Sequence, residues 1–157
     1  MNSQELDILL VEDNQDDMDL ALHALRREKL ANKIVVVRDG EEALDFLFCR
    51  GAFADRSFDH PPKLVLLDLK LPKVDGLEVL KQVKSDLRTK TIPVVIMTSS
   101  KEERDLVSGY SLGANSYIQK PVDFDQFREV VKSVGLYWLV INQPVPSNGA
   151  LKTLTAQ

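Results

Sequence analysis

The run Leu64–Leu67 (LVLL) is bounded by Pro61-Pro62 before it and Pro72 after it. Proline has no N–H to donate and breaks a helix interior, so the run is confined to about the length of one short strand. Consecutive branched aliphatics with no polar alternation need apolar cover on both faces, which is the pattern of a central strand in a parallel sheet. The strand delivers one carboxylate, Asp68, and enters a loop read as ending in an Asp75-Gly76 turn. Open α/β sheets bind ligands beyond the carboxyl ends of their strands. Asp68 is therefore either a ligand-site acid or a cap for the next helix, and the rest of the chain decides between these by what it places beside Asp68.

The same design recurs. Leu6–Val11 ends abruptly in Glu12-Asp13-Asn14, with Asn14 as N-cap and Asp16 and Asp17 at the positive end of a helix carrying Met18, Leu22 and Leu25. Lys33–Val37 is a second strand, and Asp39-Gly40 turns it into a short helix, Glu41–Phe48. A third helix spans Asp75–Asp86, marked by Leu77, Val79, Leu80 and Val83. Pro93–Met97 is a fourth strand ending in Thr98, and Lys101–Leu112 reads as a polar fourth helix stopped by Gly113. Ser116–Gln119 is a fifth strand running into Lys120-Pro121. In the fifth helix, from Phe124, residues Phe127, Val130, Val131, Val134 and Trp138 share a face.

Strands alternating with helices predict an α/β domain: a five-stranded parallel sheet, order 2-1-3-4-5, with helices on both faces. There is no internal repeat or domain boundary, so residues 1–141 read as one domain and 142–157, rich in Pro, Gly and small polar residues, as a mobile tail. The stretch from Cys49 to Lys63 has no periodicity and exceeds the usual α/β connection. It reads as an insertion whose Phe53 and Phe58 tuck onto the nearby helix, with a recognition loop as the alternative.

A net charge of −4 offers no basic surface for a phosphate backbone, so direct nucleic-acid binding is not expected. The one cysteine, Cys49, cannot form an internal disulfide, which fits a reducing cytoplasm, and reads as a small apolar residue on a buried helix face. No apolar stretch approaches the ~18 residues of a membrane span, and the N-terminus lacks the basic region and cleavage site of a signal peptide.

In the predicted strand order the carboxyl ends bring together Glu12, Asp13, Asp68, Thr98 and Lys120. Crowded carboxylates do not all stay ionised cheaply, and a hard cation relieves them; magnesium suits such a set. The chemistry this allows is attack by Asp68 on a phosphoryl group, giving an aspartyl phosphate, with Lys120 and the ion offsetting charge on the transferring oxygens.

Through VEDN, LLDLKLPKVDG, VVIMTSS and YIQKP, in this order, residues 6–140 resemble a response-regulator receiver domain of two-component signalling, a flavodoxin-like fold. The resemblance implies a phosphoacceptor, not an enzyme acting on a separate substrate, that assists its own phosphorylation and dephosphorylation. Asp68 would be phosphorylated by a sensor histidine kinase, and Glu12 and Asp13 would hold magnesium directly or through water. The backbone carbonyl of Lys70 would complete the protein ligands. Thr98 would hydrogen-bond the phosphoryl group, and Lys120 would pair with it through a cis bond to Pro121. Tyr117 would be an aromatic switch reshaping the fourth helix, fifth strand and fifth helix. Lys70 and Ser100 would border the phosphoryl group, Lys70 affecting how readily water reaches it. The long loop and the aromatic LYWLV of helix five are similar to traits of stand-alone regulators that partner phytochromes.

A haloacid-dehalogenase-type phosphatase needs a second acid where this chain has Lys70, and a flavin site needs a phosphate cradle where it has EDNQDDMD. No Gly-rich Walker loop is present. His23 on a charged helix and His60 in a proline loop read as solvated surface residues rather than a phosphohistidine relay. The rival from another class is a receiver-like scaffold that binds partners without phosphorylation. With no output domain expected after helix five, the signal passes by protein contact. The run Leu136–Ile141 (LYWLVI), apolar all round, predicts a homodimer through the fourth helix, fifth strand and fifth helix; the tail folding back over it is the alternative.

Overall fold

The computed structural model describes residues 8–27, 33–98, 110–119 and 124–136. Its strands are β1 (Ile8–Val11), β2 (Ile34–Val37), β3 (Leu64–Leu67), β4 (Val94–Thr98) and β5 (Ser116–Gln119). All pair in parallel, in the order β2-β1-β3-β4-β5, as the sequence predicts. The helices are α1 (Gln15–Arg27), α2 (Gly40–Leu47), α3 (Gly76–Ser85) and a C-terminal helix (Phe124–Leu136), the fifth of the sequence reading.

Alternate side chains of β1, β2, β3 and β4 enter different layers, which is why the central strands read as unbroken aliphatic runs. Leu9, Val11, Val65, Leu67 and Ile96 pack with Ala43, Leu44 and Leu47 of α2 and Val79, Leu80 and Val83 of α3. Ile8, Leu10, Leu64, Leu66 and Val95 pack on the other side with Met18, Ala21 and Leu25 of α1 and Val130 of the C-terminal helix. Burying each such side chain contributes about 1.5–3 kcal/mol, and no one-residue slip of β1 or β3 can preserve both layers.

Helix starts follow the capping chemistry of the sequence. Asn14 Oδ1 accepts from Asp17 N at 2.9 Å, and Asp39 Oδ1 from Glu42 N at 2.7 Å. Of the expected fourth helix, Tyr110 and Ser111 are helical and Gly113, at φ +102°, follows them; residues 101–109 lie outside the described residues. So do the tail and residues 137–141 of the apolar run.

Two local expectations are corrected. Cys49 is not on a helix face but half-buried at φ +55°, just past the end of α2. Its N–H donates to Phe46 O (3.3 Å) and that of Arg50 to Asp45 O (2.9 Å), the paired bonds of a Schellman ending, in a position that favours glycine. The turn after β3 is not at Asp75-Gly76 but at Pro72-Lys73-Val74, where Val74 N–H donates to Pro72 O (2.8 Å) and Lys73 has φ +67°. This is the uncommon γ-turn, and Gly76 is instead the first residue of α3.

The Cys49–Lys63 stretch is ordered by its aromatic residues, as expected of a tucked insertion. It contains a short 3-10 turn, Gly51–Phe53, and the Phe53 ring meets Phe46 edge-on at 4.9 Å. Arg56 stacks 3.7 Å from the Phe46 ring centroid and donates to the Phe46 and His60 carbonyls, while Arg88 stacks 4.3 Å from Phe58.

Candidate functional site

β1 and β3 pair in register, Val11 beside Leu67, so the residues that follow them emerge together. Asp68 N–H continues the ladder to Val11 O (3.1 Å), and Glu12 N–H does so to Val37 O (3.1 Å). Both acids are thus placed by the rigid end of the sheet rather than by a free loop. Glu12 is 4% and Asp68 8% exposed, while Asp13 faces solvent. One carboxylate oxygen from each lies within 4.8 Å of the others.

Backbone donors orient the two buried acids. Lys70 N–H donates to Asp68 Oδ1 at 3.1 Å, and Asn14 N–H donates to Glu12 Oε2 at 3.2 Å. The β3–α3 loop returns to its origin where Gly76 N–H donates to Leu69 O at 2.9 Å. A β-carbon on Gly76 would stand 2.3 Å from Asp68 O and 2.6 Å from Leu69 Cα, so only glycine allows this approach. These backbone contacts were not visible in the sequence; the DG pair marked the glycine but suggested a turn rather than a close approach.

Thr98 ends β4 at the same end of the sheet, in register with Gln119, and Tyr117 pairs with Ile96 in β5. Their side chains lie outside the described residues, as do Ser100, Lys120 and the bond from Lys120 to Pro121. The site brought together by described side chains is therefore Glu12, Asp13 and Asp68, with Lys70 against Asp68.

Hard oxygen donors gathered this closely, two of them buried, fit a divalent cation and fit no thiolate- or imidazole-seeking metal. A separate cavity of about 370 Å³ lies beside β2, lined by Lys33, Val35, Phe46, Asp55, Arg56, Ser57 and His60. Its single acid, Asp55, makes no carboxylate cluster, so the cation chemistry belongs with Asp68.

Residues 8–132 match the family described as response regulator receiver domain. The chain belongs to that family. The receiver is 43% identical to the probable methanogenesis regulatory protein FilR2 of Methanothrix harundinacea, over 87% of this chain and 85% of that one. It is 36% identical to the response regulator Rcp1 of Synechocystis, over 84% and 88%. The structure of the phosphorylated cyanobacterial phytochrome response regulator RcpA is similar at 41% identity and a TM-score of 0.83, covering 89% of this chain and 98% of that one. The Mn(2+)-bound form of Rcp1 is similar at 34% identity and 0.83, covering 89% and 99%. A receiver implies a phosphodonor kinase as partner. Among the described residues, no helix of this receiver is long and apolar enough to cross a membrane.

Proposed function

We propose that this receiver accepts a phosphoryl group from a sensor histidine kinase on Asp68 and passes the signal on by protein contact. One carboxylate oxygen of Asp68 forms a bond to phosphorus as the phosphorus–nitrogen bond of the donor phosphohistidine breaks, and the imidazole leaves with the electron pair. The observation that carries this is the cluster itself: a buried aspartate at the end of β3, oriented by Lys70 N–H and crowded by Glu12 and Asp13.

Glu12, Asp13, Asp68 and the Lys70 carbonyl would hold magnesium. When bound, the ion offsets negative charge on the transferring oxygens. The chain's residues do the rest: the sheet end fixes Asp68, the Lys70 amide sets its carboxylate plane, and Gly76 holds the loop closed beneath it. Thr98 would hydrogen-bond the phosphoryl group and Lys120 would pair with it. Tyr117 would then switch the surface of the 101–112 segment, β5 and the C-terminal helix. That surface would also form a homodimer. The receiver would work in the cytoplasm without contacting nucleic acid, as a phosphoacceptor assisting its own phosphorylation and dephosphorylation rather than an enzyme with a separate substrate.

Likeness to a phytochrome response regulator supports a phytochrome-type kinase as donor. The test mixes such a kinase, autophosphorylated on labelled ATP, with the receiver in magnesium. Label should move to the wild type and not to Asp68→Asn. Label that stays on the kinase contradicts the donor assignment, and label on Asp68→Asn contradicts the acceptor.

A further inference from the structure

Among the described residues, the β3–α3 loop is tied by hydrogen bonds within itself and, at one corner, by a backbone bond to α2. Lys70 N–H binds Asp68 Oδ1, and Gly76 N–H binds Leu69 O; both are internal to the loop and its ends. The corner is the one that opens α2. Gly40 N–H donates to Pro72 O at 3.2 Å, the same carbonyl that closes the γ-turn with Val74. Beside it, Lys73 Nζ lies 3.6 Å from Asp39 Oδ2.

The fit at this corner is closed to any side chain. A β-carbon on Gly40 would lie 1.8 Å from Val74 O, 2.6 Å from Val74 C and 2.8 Å from Val74 Cβ. Two of these atoms are backbone, so no rotamer change relieves them; α2 or the loop must move. Gly40 is buried and Val74 packs against the core shared by α2 and α3. α2 buries Ala43, Leu44, Phe46 and Leu47 in that core while Val74 is only partly buried, so more of the displacement falls on the loop, and the loop carries Lys70.

We infer that Gly40 is a positioning residue for the phosphoacceptor site: the corner of α2 sets where Lys70 stands and thereby the site's affinity for a divalent cation. This rests on the reading that Glu12, Asp13, Asp68 and the Lys70 carbonyl hold that cation. Groups that orient metal ligands from behind typically govern affinity by about 10–100-fold.

The test measures Mn2+ binding to the full chain by the loss of the free-ion paramagnetic resonance signal. Wild type, Gly40→Ala and Gly51→Ala are compared. Gly51 has φ +60° and a β-carbon there would meet Asp45 Oδ2 at 2.8 Å, so its substitution strains the fold away from the β3–α3 loop. Gly40→Ala should bind Mn2+ about tenfold or more weakly, with Gly51→Ala unchanged. Raising Mn2+ should restore phosphorylation of Gly40→Ala by a small acyl phosphate; both readings are taken on protein shown to be folded by circular dichroism without metal, because linkage to folding would otherwise give the same rescue. Equal Mn2+ affinity in folded Gly40→Ala and wild type overturns the inference while leaving the cation site intact. No Mn2+ binding by wild type overturns the cation site and the inference with it. If Gly40→Ala does not fold, exchange of the wild-type Gly40 amide decides: slowing on magnesium addition beyond that of the β1 and β3 core amides supports the coupling by reciprocity, and slowing no greater than theirs overturns it.

Discussion

The backbone N–H of Lys70 donates to Asp68 Oδ1 at 3.1 Å, so the carboxylate at the end of β3 is aimed by the loop that leaves it. A buried acid with a fixed carboxylate plane has lost the rotational freedom a surface aspartate keeps, which is what an in-line nucleophile requires. Asp68 thus stands with Glu12 and Asp13 rather than capping α3. Asp75 precedes α3 instead, and makes no side-chain capping bond.

Crowding of Glu12, Asp13 and Asp68 predicts a stability that depends on divalent cation. Asp68→Asn removes one negative charge and keeps an oxygen to accept from Lys70 N–H. In chelator the variant should be more stable than wild type by about 1 kcal/mol in urea unfolding, from relieved repulsion. Saturating magnesium should reverse the order, because wild type binds the ion more tightly and gains stability by linkage. A variant less stable than wild type in chelator contradicts the account.

Lys84 gives a prediction in pH. Its Nζ donates to Lys90 O (3.0 Å), Ile92 O (2.6 Å) and Asn115 Oδ1 (3.1 Å), tying α3 to the segments on either side of β4. Burial lowers its pKa to about 8 from the usual 10.5. A folded-state pKa below the unfolded one means that the unfolded chain holds more protons between these values, so stability rises with pH across that window. The stability difference between wild type and Lys84→Met should therefore move in favour of wild type between pH 8 and pH 10.5. Urea midpoints of both proteins at each end of the window measure it, and a difference that stays constant contradicts the burial effect.

How much of this was legible in the sequence depends on the range of the physics involved. Ile8–Val11 and Leu64–Leu67 announced buried strands because two-sided burial leaves no polar position, and the acids at their ends followed directly. Asn14 and Asp39 announced helix starts because capping is local. Cys49 was misplaced on a helix face, and the turn was placed at Asp75-Gly76 instead of Lys73, because Cys49 and Lys73 each take a left-handed conformation that the side chain does not advertise. The meeting of Gly40 with Val74, and the stacking of Arg56 on Phe46, join residues that only the folded sheet and helices bring together.

Cys49 itself yields a stability test. At φ +55° it occupies the glycine position of a helix ending, and its thiol, pushed up in pKa by burial, lies 3.7 Å from Arg56 Nη1. Cys49→Gly should stabilise the protein by about 0.5–1 kcal/mol, the left-handed strain outweighing the greater freedom of the unfolded chain. Cys49→Val, β-branched, should destabilise it by about 1–2 kcal/mol. Thermal unfolding of the pair checks both signs, and a destabilising glycine contradicts the assignment.

The chemistry at Asp68 is tested most directly by weighing the intact protein after incubation with magnesium and a small acyl phosphate. Wild type should gain the mass of one phosphoryl group and Asp68→Asn none. No added mass on wild type, or added mass that persists in Asp68→Asn, contradicts the account.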